Sequence, residues 1–451
     1  MKFEVLKRSY LKRNIIIGII VVGIISAVVL NFARAKYRTI QSMPLGNGTI
    51  NYTPYDLKMV AMYQEENGDY ESIDTVPTSG YSLNEEKSYC EVNDTKDNNI
   101  TIEYQNGVIN FLGMTKKGTK CYLYFDKYSL AKEILDKLGL VVNEGTPDFS
   151  KTATTDEGVY KSQDDWGDSY YFRGAVNNNW LKFAGFYWRI IRINGDGSIR
   201  VIYNGTSTET TGDSTVIESS KIFNSNSNRS EYVGYMYATN QQHGNTTDSL
   251  IKDVLDNWYN SNLASYADKI SIEAGFCGDR EMASGSSWSS EPSSTIYYAA
   301  YGRLSDNKTP TLKCSNSSDL YTVSGSSKGN KKLNNPIGLI SADEISMAGG
   351  AYNISNTNYY LYSNKYYWTM SPYYFDVDRN SNYARVFIVN ANGGLYYSHV
   401  DWAAPNIRPV INIESNVIIS SGNGTSSNPF VLKSLGSFFF FLKFMHLVKT
   451  K

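Results

Sequence analysis

From Asn14 to Ala33 the chain runs twenty residues without a charge, most of them Ile, Val and Gly. As a helix rising about 1.5 Å per residue, this stretch reaches about 30 Å, the thickness of a bilayer's hydrocarbon core. It is apolar all round and terminal, which argues against a helix that buries one face in a globular core. Lys2, Lys7, Arg8, Lys12 and Arg13 precede it against one acid, Glu4, while Arg34, Lys36 and Arg38 follow. The basic flank places 1–13 in the cytoplasm and the rest of the chain outside. The expected arrangement is an uncleaved transmembrane signal anchor over 14–33. The competing one is a signal peptide cut after Ala33-Arg34-Ala35. No lipoprotein cysteine follows the stretch, and neither a type IV prepilin entry nor a Leu-Pro-x-Thr-Gly sorting signal occurs. The chain therefore reads as a single-pass cell-membrane protein with its bulk extracellular.

The four cysteines, Cys90, Cys121, Cys277 and Cys314, agree with an oxidising compartment. Four cysteines allow three pairings. The sequence-local one, Cys90 with Cys121 and Cys277 with Cys314, is the expected one and closes two loops of roughly 30–40 residues. No Cys-x-x-Cys occurs and the three histidines (His243, His399, His446) are scattered singly, so neither a zinc site nor another cofactor is expected. A formal net charge of −1 speaks against a nucleic-acid partner, which would demand clustered Lys and Arg. Thirty-seven tyrosines suit wet binding surfaces, although strand propensity accounts for many of them equally well.

Residues 39–127 read as a small β-sandwich. Asn99–Tyr104 and Cys121–Phe125 alternate apolar and polar, Asn106-Gly107 and Lys117-Gly118 mark turns, and a Cys90–Cys121 bridge is expected to join strands across the two sheets. Residues 128–169 read as a short helix, capped by Ser129 and stopped by Gly139, and then a Thr-, Asp-, Gly- and Ser-rich strap in which Asp164 and Asp165 are solvated. From 170 to 433 the pattern predicts an α+β, mostly β domain. Phe183–Ile193 and Ser198–Tyr203 flank Asn194-Gly-Asp-Gly197 as a hairpin. Asp248 starts a helix from Leu250 to Leu263 with Leu250, Val254, Leu255 and Trp258 on its buried face. Pro336–Ser341 leads as a strand into a helical turn, Ala342–Met347, and Tyr366–Met370, Ala384–Asn390 and Arg408–Ile413 follow as strands. Residues 434–451 form an atypical tail, with Phe438–Phe441 too short to span a bilayer.

Five segments, Tyr170–Gly205, Phe276–Glu281, Pro336–Gly350, Tyr367–Tyr374 and Ala384–Ile413, together resemble surface proteins of low-GC gut bacteria. The C-terminal domain of that group is similar to the C-type-lectin-like fold of formylglycine-generating enzymes and of retroelement-diversified variable proteins. The resemblance, over roughly 165–415, implies a domain whose late strands carry a binding face. Tyr373, Tyr374, Tyr383, Asn392, Tyr396, Tyr397 and Trp402 are the expected ligand-binding residues there, with Ser371, Arg385 and Asn390 beside them. Trp368 and Arg408 sit within strands and are expected in the core. Aromatic and amide side chains suit an extracellular ligand such as a glycan or a host protein, and adhesion is the expected role.

Formylglycine chemistry needs a cysteine pair late in such a domain, and none occurs between Trp368 and Ile413. No Gly-x-Ser-x-Gly or phosphate-loop motif is present. Asp376, Asp378 and Asn380 have the first spacings of a calcium loop, but Ser381 and Phe387 break its pattern, so no metal is expected. A secreted enzyme acting on glycans or cell wall stays open as an alternative, as does a structural envelope or pseudopilus-like component.

Overall fold

A computed structural model describes residues 41–45, 48–52, 56–66, 69–77, 81–105, 107–127, 134–135, 142–378 and 382–432. The apolar stretch 14–33, nearly all of the expected 129–139 helix, and the tail 434–451 lie outside the described residues. Among the described residues no helix is long and apolar enough to cross a membrane. The chain divides into two compact units, Met1–Tyr128 and Ser129–Lys451, and both are mostly β.

In the first unit a four-stranded sheet runs in the order Gln41–Leu45, Gly48–Tyr52, Val108–Leu112, Thr101–Gln105. A second sheet is centred on Thr119–Lys127, which pairs in parallel with Leu57–Glu66 and antiparallel with Tyr81–Leu83 and Tyr89–Val92. Ile50 and Ile109 from the first sheet meet Met62, Leu123 and Phe125 from the second in one buried cluster. Strand alternation explains the sorting. Cys121, Leu123 and Phe125 are fully buried, while Tyr122 and Tyr124, between them, are partly exposed. Those tyrosines pair across strands, Tyr63 with Tyr124 at 4.9 Å and Tyr89 with Tyr122 at 5.0 Å between ring centres. Cross-strand aromatic pairs stabilise a sheet, which accounts for part of the tyrosine content without a ligand.

Cys90 is bonded to Cys121 and Cys277 to Cys314, the sequence-local pairing. The first bridge does not cross between sheets as expected. Cys90 stands directly opposite Cys121 on neighbouring strands of one sheet, 4.1 Å apart at Cα. Directly opposite residues on adjacent antiparallel strands come about 4.5–5.5 Å apart at Cα, within the reach of a disulfide, so the in-sheet register suffices to form the bridge.

In the second unit, Phe186–Ile193 and Ile199–Tyr203 form the expected hairpin at the centre of a nine-stranded sheet. The stretch read as a strap contributes a nine-residue strand, Asp156–Asp164, paired with Gly167–Gly174. Its polar composition hides it, because within it Val159 is the one apolar side chain that is fully buried. Pro336–Ile340 is buried but joins the sheet only through an isolated bridge from Gly338 to Val410. The turn after it, Ala342–Met347, is a helix with a complete capping box between Ser341 and Glu344.

Among the described residues the longest helix spans Leu250–Asn262, and its cap is Ser249, whose hydroxyl accepts the Lys252 N–H. Its buried face is rotated from the expected one. Ile251, Leu255 and Tyr259 are buried, and Leu250 is 39% exposed. The stripe Ile251–Leu255–Tyr259 has uniform i, i+4 spacing, and Lys252 can join it because its ammonium lies 2.9 Å from Asp248 and 2.7 Å from Asp256.

Candidate functional site: a tyrosine face and the cavity at its edge

Four antiparallel strands, Ile296–Tyr297, Tyr367–Val377, Asn382–Val389 and Leu395–His399, form a separate small sheet. Its register lines up Tyr297, Tyr374, Arg385 and His399 in one row, with Asp376 opposite Tyr383 and Phe387 opposite Tyr397 on flanking rows. Alternation of side chains puts all of these on one face. The pairing shifts register between Pro372 and Tyr374. An extra residue at such a shift lets two consecutive side chains serve one surface. Tyr373 accordingly stacks on Tyr397 at 4.2 Å and lies 4.6 Å from Tyr374, between ring centres.

Tyr373 is the buried floor of the array. Its hydroxyl meets that of Tyr352 at 2.5 Å, and its ring lies 5.1 Å from Tyr301. Burial holds the Tyr373 and Tyr374 hydroxyls well above the ordinary phenol value, so both are neutral hydrogen-bonding groups at physiological pH. Tyr396 stacks on Tyr397 at 4.6 Å. The Arg385 guanidinium covers the rings of Tyr374, Tyr383 and Tyr397 at 5.4–5.5 Å and pairs with Asp376 at 3.1 Å. Asp376 is thus a strand residue paired with Arg385, and Phe387 is buried in the adjacent strand; Asn380 and Ser381 lie outside the described residues.

At the far end of the row, His399 lies 5.3 Å from Tyr383 and 6.5 Å from Trp402, which meets Tyr366 edge-on at 5.7 Å. Asp401 accepts from Ser227 at 2.9 Å and contacts His399 at 2.5 Å. The carboxylate stands between serine and imidazole, which is not the order in which a histidine would activate a serine. Six of the seven expected ligand residues therefore join one connected array. Asn392 instead closes the turn between the last two strands, donating to Ser355 and accepting from Gly394. Trp368 and Arg408 are buried core residues, bonded to the Lys221 carbonyl and to the Tyr203 and Leu361 carbonyls.

A cavity of about 620 Å³ opens beside Tyr297, at the edge of the array. Tyr297 and Tyr301, with ring centres 4.4 Å apart, supply its aromatic lining, and Ser284, Ser286, Asp306 and Asn307 its polar lining. Burial, and then the Asp306 carboxylate, push the Tyr301 hydroxyl upward. Gly302–Asn307 is a single π-helical turn ending at Lys308 in the left-handed region, a local irregularity common at binding sites. Sequence reading missed this cavity. The one usable signal is that every lining residue falls between Cys277 and Cys314.

A second, narrow cavity of about 30 Å³, room for about one water, shares Arg303 with the first, and there Asp165, Asp279, Asp343 and Glu344 converge with Arg192, Arg200 and Arg303. Arg303 reaches Asp343 at 3.0 Å and also pairs with Asp279. Glu344 pairs with Arg192 at 3.0 Å and Arg200 at 2.5 Å. Asp164, expected to be solvated, is buried and held by Arg192 at 2.6 Å, and partly exposed Asp165 accepts the Cys314 N–H. Among the described residues no group of acids, histidines and cysteines is arranged to hold a metal ion. No protein family, curated protein or solved structure matches the chain.

Proposed function

We propose that this chain is a membrane-anchored bacterial surface protein whose second unit, a C-type-lectin-like domain, binds an extracellular glycan in adhesion. The observation that carries the binding reading is the open cavity continuous, through Tyr297 and Tyr301, with a face of half-buried tyrosines. Partly exposed rings with neutral hydroxyls offer stacking surface and hydrogen bonds together, which is the chemistry a sugar ring needs. The uncharged stretch 14–33 and the two disulfides support the exported, anchored placement. A hydrolase reading is less favoured, because Asp279, Asp343 and Glu344 are each ion-paired to arginine around a narrow cavity of about 30 Å³.

A glycan array probed with the full chain tests the proposal. Tyr301→Ala is expected to weaken binding of any positive glycan about tenfold, the size of one lost aromatic contact. Retention of full affinity by both Tyr301→Ala and Trp402→Ala would remove the tyrosine face as the binding surface. Protease shaving of intact cells tests the placement, and a chain that stays protected would overturn it.

A further inference from the structure

Resting on the glycan reading above, we propose that the 620 Å³ cavity takes an N-acetylated hexosamine unit, so that the glycan it selects carries acetamido groups. A plain hexose ring presents hydroxyls around its periphery and uses aromatic and polar lining only. This cavity holds a third kind of lining as well, formed by Met282, Ala283, Ala299 and Gly302. Small apolar groups and a thioether are matched by a methyl group, while Ser284, Ser286 and Asn307 offer donors and acceptors to the amide that carries it. Tyr297 and Tyr301 remain for the ring.

Charge points the same way. Arg303 is the cationic side chain of the lining, and it is bound to Asp279 and Asp343. Asp306 adds a carboxylate. An anionic sugar would meet that carboxylate with no unpaired cation to offset it, so a neutral N-acetylated unit fits better than a uronic or sialic acid.

The test uses the full chain and three tetrasaccharide probes, made of N-acetylglucosamine, glucose or glucosamine. The N-acetylglucosamine tetramer is expected to bind at least about tenfold more tightly than the glucose tetramer, the usual worth of a well-seated apolar group. Gly302→Ala probes the apolar lining directly. A Cβ built at Gly302 meets the Ala283 Cβ at 3.7 Å, ordinary contact, and its backbone is right-handed at φ −59 and ψ −41. The variant is expected to keep the wild-type melting midpoint and to lose most of the preference for the acetylated probe over the glucose tetramer. Equal binding of the acetylated and glucose tetramers, or tighter binding of glucosamine, overturns the acetamido inference and leaves the glycan reading standing. A glycan array with no positive at all takes down both.

Discussion

Glu344→Gln is expected to lower the stability of the second unit by about 3–5 kcal/mol, the usual cost of breaking a buried ion pair from one side. Glu344 is 3% exposed and lies between Arg192 and Arg200, which are themselves buried; Arg192 also reaches Asp164. Burial alone would raise the Glu344 carboxyl, but the two guanidinium groups outweigh it and hold the carboxyl below the ordinary glutamate value. The amide of Gln keeps the shape and removes the charge. Arg200 would then keep only neutral acceptors, among them the carbonyls of Gly275 and Leu339, and no carboxylate to offset its buried charge. All seven tryptophans lie in this unit, so tryptophan fluorescence follows its melting, and a fall of about 10 °C is expected. The sign of the pH dependence follows from the depressed carboxyl. Its contribution is complete above the ordinary glutamate range and is lost as pH falls through the depressed folded-state value, so the gap between wild type and variant should narrow only as the pH is taken below the ordinary glutamate range. A melting shift below about 2 °C at neutral pH would show that the cluster is replaceable.

The cluster also marks the limit of what sequence patterns reveal. The Asn194–Gly197 hairpin and the Ala342–Met347 turn were legible because turn residues and apolar alternation are local signals. The tyrosine face was legible in part, since its strands alternate and Tyr373, Tyr374, Tyr383, Tyr396 and Tyr397 lie close together in the chain. Asp164 was misread because its partner Arg192 lies 28 positions away and nothing near Asp164 hints at burial. The helix face was misjudged because buried Lys252 reads as a surface residue until Asp248 and Asp256 are seen to hold it. The cavity was invisible because it depends on a π-turn and on the packing of Tyr301 against Tyr373, neither of which has a periodic signature.

Cys277→Ser/Cys314→Ser is expected to have the second large effect, and it separates the cavity from the rest of the unit. The bridge closes a loop with a sequence separation of 37, which chain entropy values at about 4 kcal/mol. Every residue lining the 620 Å³ cavity belongs to that loop. The loop is also tied to the body of the unit through Arg303 on Asp343 and through the pairing of Ile296–Tyr297 with Tyr374 and Phe375. The large sheet and its tryptophan-rich core depend on neither cysteine, so the variant should fold at low temperature while melting about 10 °C earlier. Loss of the bridge raises the entropy the loop must surrender to present Tyr297, Tyr301 and Asp306 together, so affinity for any ligand of the cavity should fall by more than stability at the assay temperature would suggest. Tris(2-carboxyethyl)phosphine applied to the wild type should reproduce the affinity loss, with the Cys90–Cys121 variant as control because its loop holds none of the cavity residues. Unchanged affinity in a folded Cys277→Ser/Cys314→Ser variant would show that ion pairing and strand pairing position the cavity without the disulfide.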